Sequence, residues 1–229
     1  MSYRLYLRRV EVATYEIAVG DVTDVAGKKA VVVRTHAKAA GLANMLVKID
    51  DIFTSWIDIR TGRPVLWTVD EPGENPGDRN RSEVRLAERA GNSVPINFHV
   101  NEQSTTPEPQ KVSMADVWDY NAYLIALRNW DAPEGSTVTL EVFRGRYMWN
   151  VKTTVGPHEN IATEMGDFPA VRYDSHAYKL LRDGKRAPDA ERNFSVWIST
   201  DAARAPVKTV AETDYGMITV KLIDYQPGK

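Results

Sequence analysis

The most constraining feature of this sequence is an alternation of period two that recurs along most of its length. In "STVTLEV", Val138, Leu140 and Val142 fall on one face, and Thr137, Thr139 and Glu141 on the other. "RYMWNVKT" sets Tyr147, Trp149 and Val151 against Met148, Asn150 and Lys152. "NFSVWIS" sets Phe194, Val196 and Ile198 against Ser195, Trp197 and Ser199, and "MITVKLID" sets Ile218, Val220 and Leu222 against Thr219, Lys221 and Ile223. Side chains of a strand alternate sides, so this pattern specifies antiparallel strands with one face on a core. "KKAVVVRTHAKA" and "RPVLWTVD" add two more, and turn residues between such runs give a total of about nine to eleven strands.

Two stretches break the alternation with helical spacing. "GLANMLVK" is short and places Leu42, Met45 and Leu46 on one face. "DVWDYNAYLIALRNW" repeats apolar residues at Val117, Tyr120, Leu124 and Leu127, with Asp116 as N-cap and an end before Pro133. Two polar, proline-bearing stretches, "DEPGENPGDRNR" and "NEQSTTPEPQK", read as mobile loops near 71–81 and 101–111. Neither has the length of a linker, and no repeat occurs, so residues 1–229 read as a single β-rich domain. A chain of this size buries roughly 70–75% of its unfolded surface, enough to need no disulfide or metal.

Composition then excludes several functions. With no cysteine there is no disulfide, thiolate metal site or thiol nucleophile. The 29 basic and 31 acidic residues nearly cancel, so no bulk field draws nucleic acid or an anionic membrane. No apolar run approaches the roughly 20 residues of a membrane-spanning helix, and the arginine-bearing start lacks the apolar centre of a signal peptide. The chain is therefore not expected to be an integral membrane protein or to bind nucleic acid. Nothing in the sequence sets its oligomeric state.

Chemistry-bearing motifs are sparse. No GxSxG elbow, P-loop or dinucleotide fingerprint is present. His36 and His99 have no second ligand at i+2 or i+4. His158, Glu159 and Glu164 lie close in "HENIATE", with His176 one hairpin away, but the spacing is not that of HExxH and follows a turn signal at Gly156–Pro157. The sequence accordingly leads us to expect no catalytic residues, no metal and no cofactor. The aromatics say more. Trp149 and Trp67 fall on apolar strand faces, whereas Trp197 and Trp56 fall on mixed faces, which implies cover by a helix, a loop or a ligand.

Three stretches resemble a bacterial family of exported and outer-membrane-associated proteins catalogued as domain of unknown function 3108. They are "GLANMLVKIDDIFTSWIDIRTGRPV", "WDYNAYLIALRNWDAPEGSTVTLEVFRGRYMWNVKTTV" and "VWISTDAARAPVKTVAETDYGMITVKLIDY", in that order. The chain departs from the family pattern in "GPHENIATEMGDFPAVRYD", which lacks a Pro-Ala-Gly turn. The resemblance implies a periplasmic or outer-membrane-associated protein whose signal peptide is missing from this chain. It also implies a mainly β fold: a curved antiparallel sheet or half-open β-barrel partly wrapping one or two short helices, similar to periplasmic lipoprotein-carrier folds. The resulting expectation is a non-enzymatic cell-envelope protein holding an apolar or amphipathic ligand, such as a lipid, lipoprotein or glycolipid. Its ligand-binding residues would be Leu42, Met45, Leu46, Trp56 and Trp197. The alternative is a glycan-binding or envelope-assembly module using Trp56 and Trp197. A metal-dependent hydrolase built on His158, Glu159, Glu164 and His176 ranks third.

Overall fold

The computed structural model describes residues 1–41, 49–75, 77–101 and 103–227. In chain order the strands are β1 (Ser2–Leu7), β2 (Val10–Val25), β3 (Lys28–Ala39), β4 (Asp50–Asp58), β5 (Pro64–Pro72), β6 (Arg79–Val84), β7 (Ser93–Val94), β8 (Ile96–Val100), β9 (Gln103–Ser104), β10 (Gln110–Lys111) and β11 (Val117–Asp119). Then come helix α1 (Tyr120–Asn129) and strands β12 (Thr137–Arg144), β13 (Tyr147–Thr163), β14 (Gly166–Leu180), β15 (Arg186–Ser199), β16 (Pro206–Thr213) and β17 (Gly216–Asp224). Fifteen of these strands form one sheet in the order β11-β12-β13-β14-β15-β16-β17-β1-β2-β3-β4-β5-β6-β8-β9, while β7 and β10 pair separately. All of its pairings among the described residues are antiparallel except β11 with β12. The sheet is curved and does not close, because β9 and β11 end it without pairing to each other.

Period-two runs become strands with the faces the sequence assigns. Val142, Val151, Val196 and Ile198 enter one cluster with the helix, while Met148 and Trp197 lie in others. The strand count of seventeen among the described residues exceeds the expected nine to eleven. Most of the excess is β7, β9, β10 and β11, each two or three residues long and too short to display a period. The loop read near 71–81 is also narrower than the sequence indicates. Asp70, Glu71 and Pro72 pair with Arg81, Asn80 and Arg79, which leaves a six-residue connection.

The helix corrects one detail. Asp116 is not its N-cap, because Val117–Asp119 extends as β11 and pairs with Glu141–Phe143 of β12. The cap is Asp119, whose Oδ1 accepts from the Ala122 N–H at 2.8 Å. Three more residues of strand are thus traded for a cap that lies in the core. The expected "GLANMLVK" helix, with Leu42, Met45 and Leu46, lies outside the described residues.

Helix α1 fills the space inside the curve. Ala122, Tyr123, Leu124 and Leu127 pack with Val33 and Ile57 from one arm of the sheet and with Val142, Val151, Val155, Tyr173 and Val196 from the other. The Tyr123 hydroxyl lies 2.9 Å from Thr153 Oγ1 and 3.0 Å from Ser175 Oγ, so this buried polar tip is satisfied. A second cluster joins Trp67, Val69, Val84 and Ile96 to Phe143 and Met148. Both faces of β12 are therefore covered, Val142 by the helix and Phe143 by the β5–β8 arm. Glu141 is 1% exposed and holds the chain before β11 in place, accepting from the Ser113 N–H at 2.9 Å, Ser113 Oγ at 2.6 Å and the Met114 N–H at 3.2 Å. Glu141→Ala leaves three donors unpaired and is expected to lower the unfolding free energy by about 3 kcal/mol, read by urea denaturation.

The β13–β14 hairpin is the longest in the fold and bends partway. Its register shifts between Val155 and His158, at Gly156–Pro157, which is a bulge inside one strand and not the turn that the dipeptide suggests. A Cβ on Gly156 would meet Arg172 O at 3.1 Å, so any larger residue there would crowd the β14 backbone. Beyond the bend the hairpin crosses to β1, where Glu164 accepts from Arg4 Nη1 at 2.7 Å.

Candidate functional site

The bend leaves a groove on the strand face opposite α1. Five adjacent strands, β13 to β17, contribute to it. Lys152 and Thr154 come from β13, Asp174 and His176 from β14, Asn193 and Ser195 from β15, and Val210 from β16. Cross-strand pairing puts Lys152, His176 and Asn193 in one row and Thr154, Asp174, Ser195 and Val210 in the next. Met217 on β17, 50% exposed, supplies an apolar end. The cavity measures about 370 Å³ and is open to solvent.

Its polar groups are tied to one another. Ser195 Oγ donates to Asp174 Oδ1 at 2.6 Å, and Arg172 Nε donates to Asp174 Oδ2 at 2.9 Å. His176 Nδ1 lies 2.9 Å from Asn193 Oδ1 and its Nε2 lies 3.2 Å from Glu191 Oε2. Asn193 donates through Nδ2 to Glu212 Oε2 at 3.0 Å. The lining is thus a fixed array of carboxylate, amide, hydroxyl and imidazole groups with an apolar border. Such a lining suits recognition by hydrogen bonding.

Trp197 stands beside this groove and faces protein. It is 6% exposed, in a cluster with Tyr3, Ile161, Ala170, Val207 and Leu222. The indole N–H donates to Glu159 Oε2 at 2.9 Å, and Lys208 Nζ lies 4.2 Å from the ring centre. Burial pulls the Lys208 ammonium below its ordinary range, and the charges of Lys221 and Arg172 act in the same direction. Trp56 lies between Val32 and Leu66 in the β3–β4–β5 ladder and is half-buried. The structure does not bring Trp56 and Trp197 together, and Leu42, Met45 and Leu46 are outside the described residues.

The four residues of the hydrolase reading have separate partners. Glu159 bonds Arg172 and Trp197, Glu164 bonds Arg4, and His176 bonds Asn193 and faces Glu191. Among the described residues no three His, Asp or Glu side chains lie close enough to share a metal ion. Elsewhere, burial raises the carboxyl pKa values of Asp51 and Glu71, and each is raised further by a neighbouring acid. Those two face the guanidinium charges of Arg79 and, respectively, Arg144 and Arg146.

Inside the curve, the described residues pack closely around α1. A crevice between α1 and the β2–β3 strands, lined by Ile17, Val19, Val33, Leu124 and Ile125, measures about 30 Å³. That holds one or two water molecules and no acyl chain. No helix among the described residues is long and apolar enough to cross a membrane.

Of the groove residues the sequence singled out His176 alone, and for a metal site with His158, Glu159 and Glu164 that the structure does not assemble among the described residues. Alternation already placed Lys152 and Ser195 on polar strand faces. What one strand's pattern cannot give is which residues of the neighbouring strands stand beside them.

No curated protein and no solved structure matches this chain. Residues 2–223 match a family described as protein of unknown function (DUF3108), in agreement with the three resembling stretches. Since that match covers nearly the whole length, the chain belongs to this family of unknown function.

Proposed function

We propose that this chain is a non-enzymatic binding protein of the cell envelope that holds the hydroxyl-rich head of an amphipathic ligand, of the glycolipid class, in the groove across β13–β17. The observation that carries this reading is the open cavity of about 370 Å³ with its array of Asp174, His176, Asn193 and Ser195. Hydroxyl groups are both donors and acceptors, and the array offers both, while Val210 and Met217 give the apolar part of a ligand a surface to lie on. Among the described residues α1 packs against both arms of the sheet inside the curve, which favours the outer groove. Partners that already fix the groove side chains lower the ordering cost of binding. The envelope location in this reading is supported by the family resemblance alone.

The reading in which Trp56 and Trp197 stack on sugar rings has less support. The Trp197 ring is 6% exposed, with Lys208 over it and its indole N–H bonded to Glu159.

Binding is tested by titrating glycans and short-chain glycolipids into the full chain and recording heat or intrinsic fluorescence. Asn193→Ala and Asp174→Ala are each expected to weaken binding roughly 10-fold, the effect of one lost hydrogen bond of about 1.4 kcal/mol. Absence of binding to every hydroxyl-rich ligand, or binding unchanged in both variants, would sink the reading.

A further inference from the structure

The turn between β1 and β2 is Arg8–Arg9, and its geometry is unusual. Leu7 pairs directly with Val10, so the hairpin has a two-residue loop. Arg8 has φ 50° and Arg9 φ 76°, the left-handed values that a type I′ turn demands at both central positions. Asn-Gly is the pair that meets this demand with least strain, because side chains with a Cβ are disfavoured there. Two arginines are among the less comfortable choices. A strained outlier of this kind points from geometry to function.

The surroundings give that function a chemistry. Neither arginine has an ion pair or side-chain hydrogen bond among the described residues, and the acids at this end are already engaged. Asp214 bonds Arg192, Glu212 bonds Asn193, and Glu11 pairs with Arg4. Next to the turn is the β16–β17 hairpin, since Leu7 pairs with Ile218 and a Cβ on Gly216 would lie 3.8 Å from Leu7 Cδ1. At these two tips Val10 is 64% exposed and Tyr215 is 76% exposed. Two uncompensated cations beside an exposed aromatic and an exposed valine match a bilayer surface. Arginines there meet phosphate oxygens, and an aromatic ring sits at headgroup depth.

We infer that the paired hairpin tips, Arg8–Arg9–Val10 and Tyr215, dock this protein on the surface of a membrane bearing anionic lipid headgroups. The inference is independent of the groove, although Met217, at the groove's end, follows Tyr215 by two residues, so docking brings the groove mouth near the lipid surface. Local charge decides this contact, because the chain as a whole carries a net charge of −2.

The test is co-sedimentation of the full chain with phosphatidylcholine vesicles, with and without about one-third phosphatidylglycerol, at low and at physiological salt. The chain should bind the anionic vesicles and not the neutral ones, and less so as salt rises. Replacing the turn by Arg8→Asn with Arg9→Gly should lower the vesicle partition coefficient roughly 30-fold, while its thermal unfolding midpoint stays level or rises. That combination separates lost docking from lost folding. Tyr215→Ser should weaken binding with no change in unfolding. Absence of binding to anionic vesicles, or equal binding by the Asn-Gly variant, would overturn the inference. So would retention on soluble polyanionic polysaccharide but not on vesicles. Because the vesicles carry no glycan, failure here leaves the groove reading standing.

Discussion

Asp119→Asn is expected to remove this residue's contribution to a fall in stability as pH rises from about 4 to 7. Asp119 is fully buried, and its carboxyl pKa is pushed up to about 7, chiefly by that burial. The hydrogen bonds from the Ala122 N–H and the Ser55 hydroxyl to Oδ1, with the nearby Asn121 N–H, pull in the opposite direction. Its unfolded value is 3.8. Between the two values the folded chain keeps a proton that the unfolded chain has released, so the unfolding free energy declines with pH across this window and levels off above it. The Oδ2 atom has no partner among the described residues, which is where the ionised form is left unsupported. An asparagine keeps the cap on Ala122 and carries no charge to desolvate. At pH 8 the variant should exceed the parent by on the order of 2–4 kcal/mol, and at pH 4 the two should nearly coincide. Asp119→Ala loses the cap as well and should be weaker than the asparagine variant at every pH, by about 1 kcal/mol or more. Urea denaturation at four pH values between 4 and 8 measures all three.

Trp67→Ala should be the most damaging single truncation. Trp67 is fully buried and stacked on Phe53, with ring centres 5.6 Å apart and planes 13° apart. Its indole N–H donates across the core to Gly145 O at 3.0 Å, in the turn between β12 and β13. It therefore joins the β5 arm of the sheet to the β12–β13 arm by packing and by a hydrogen bond. Removing a ring of this size leaves a cavity that rigid strands on both sides cannot close, at about 3–5 kcal/mol. That is a large share of the roughly 5–15 kcal/mol that holds a protein of this kind together. Trp67→Phe keeps most of the packing and should cost about 1–2 kcal/mol, largely by leaving the Gly145 carbonyl unpaired. The comparison is read from urea midpoints of the two variants.

The sheet was legible because period two is a local property. Val138, Leu140 and Val142 declare their face without knowledge of any partner, and so do Phe194, Val196 and Ile198. Short strands were not, since β7 or β9 has too few residues to repeat anything. The sequence reading places the cap at Asp116, whereas the structure caps the helix with Asp119. What decides between them is the parallel pairing of Val117–Asp119 with β12, a contact formed with residues more than twenty positions later. Trp197 illustrates the same limit. Its mixed-face position correctly implied a cover, but the cover comes from Glu159 and Ile161, brought over by the bend at Gly156–Pro157. The groove is the extreme case, with each row drawn from at least three strands. Sequence supplied its polar faces; only register put Asp174 beside Ser195 and His176 beside Asn193.

Native mass spectrometry decides whether the outer groove holds the proposed hydroxyl-rich amphiphile. The full chain and an Asp174→Ala, Asn193→Ala double variant would be purified under mild conditions from the same envelope extract. The expected result is a discrete added mass on the parent chain, removed by delipidation and absent from the double variant. A bare mass for the parent in every preparation, or the same added mass on both proteins, would contradict the claim.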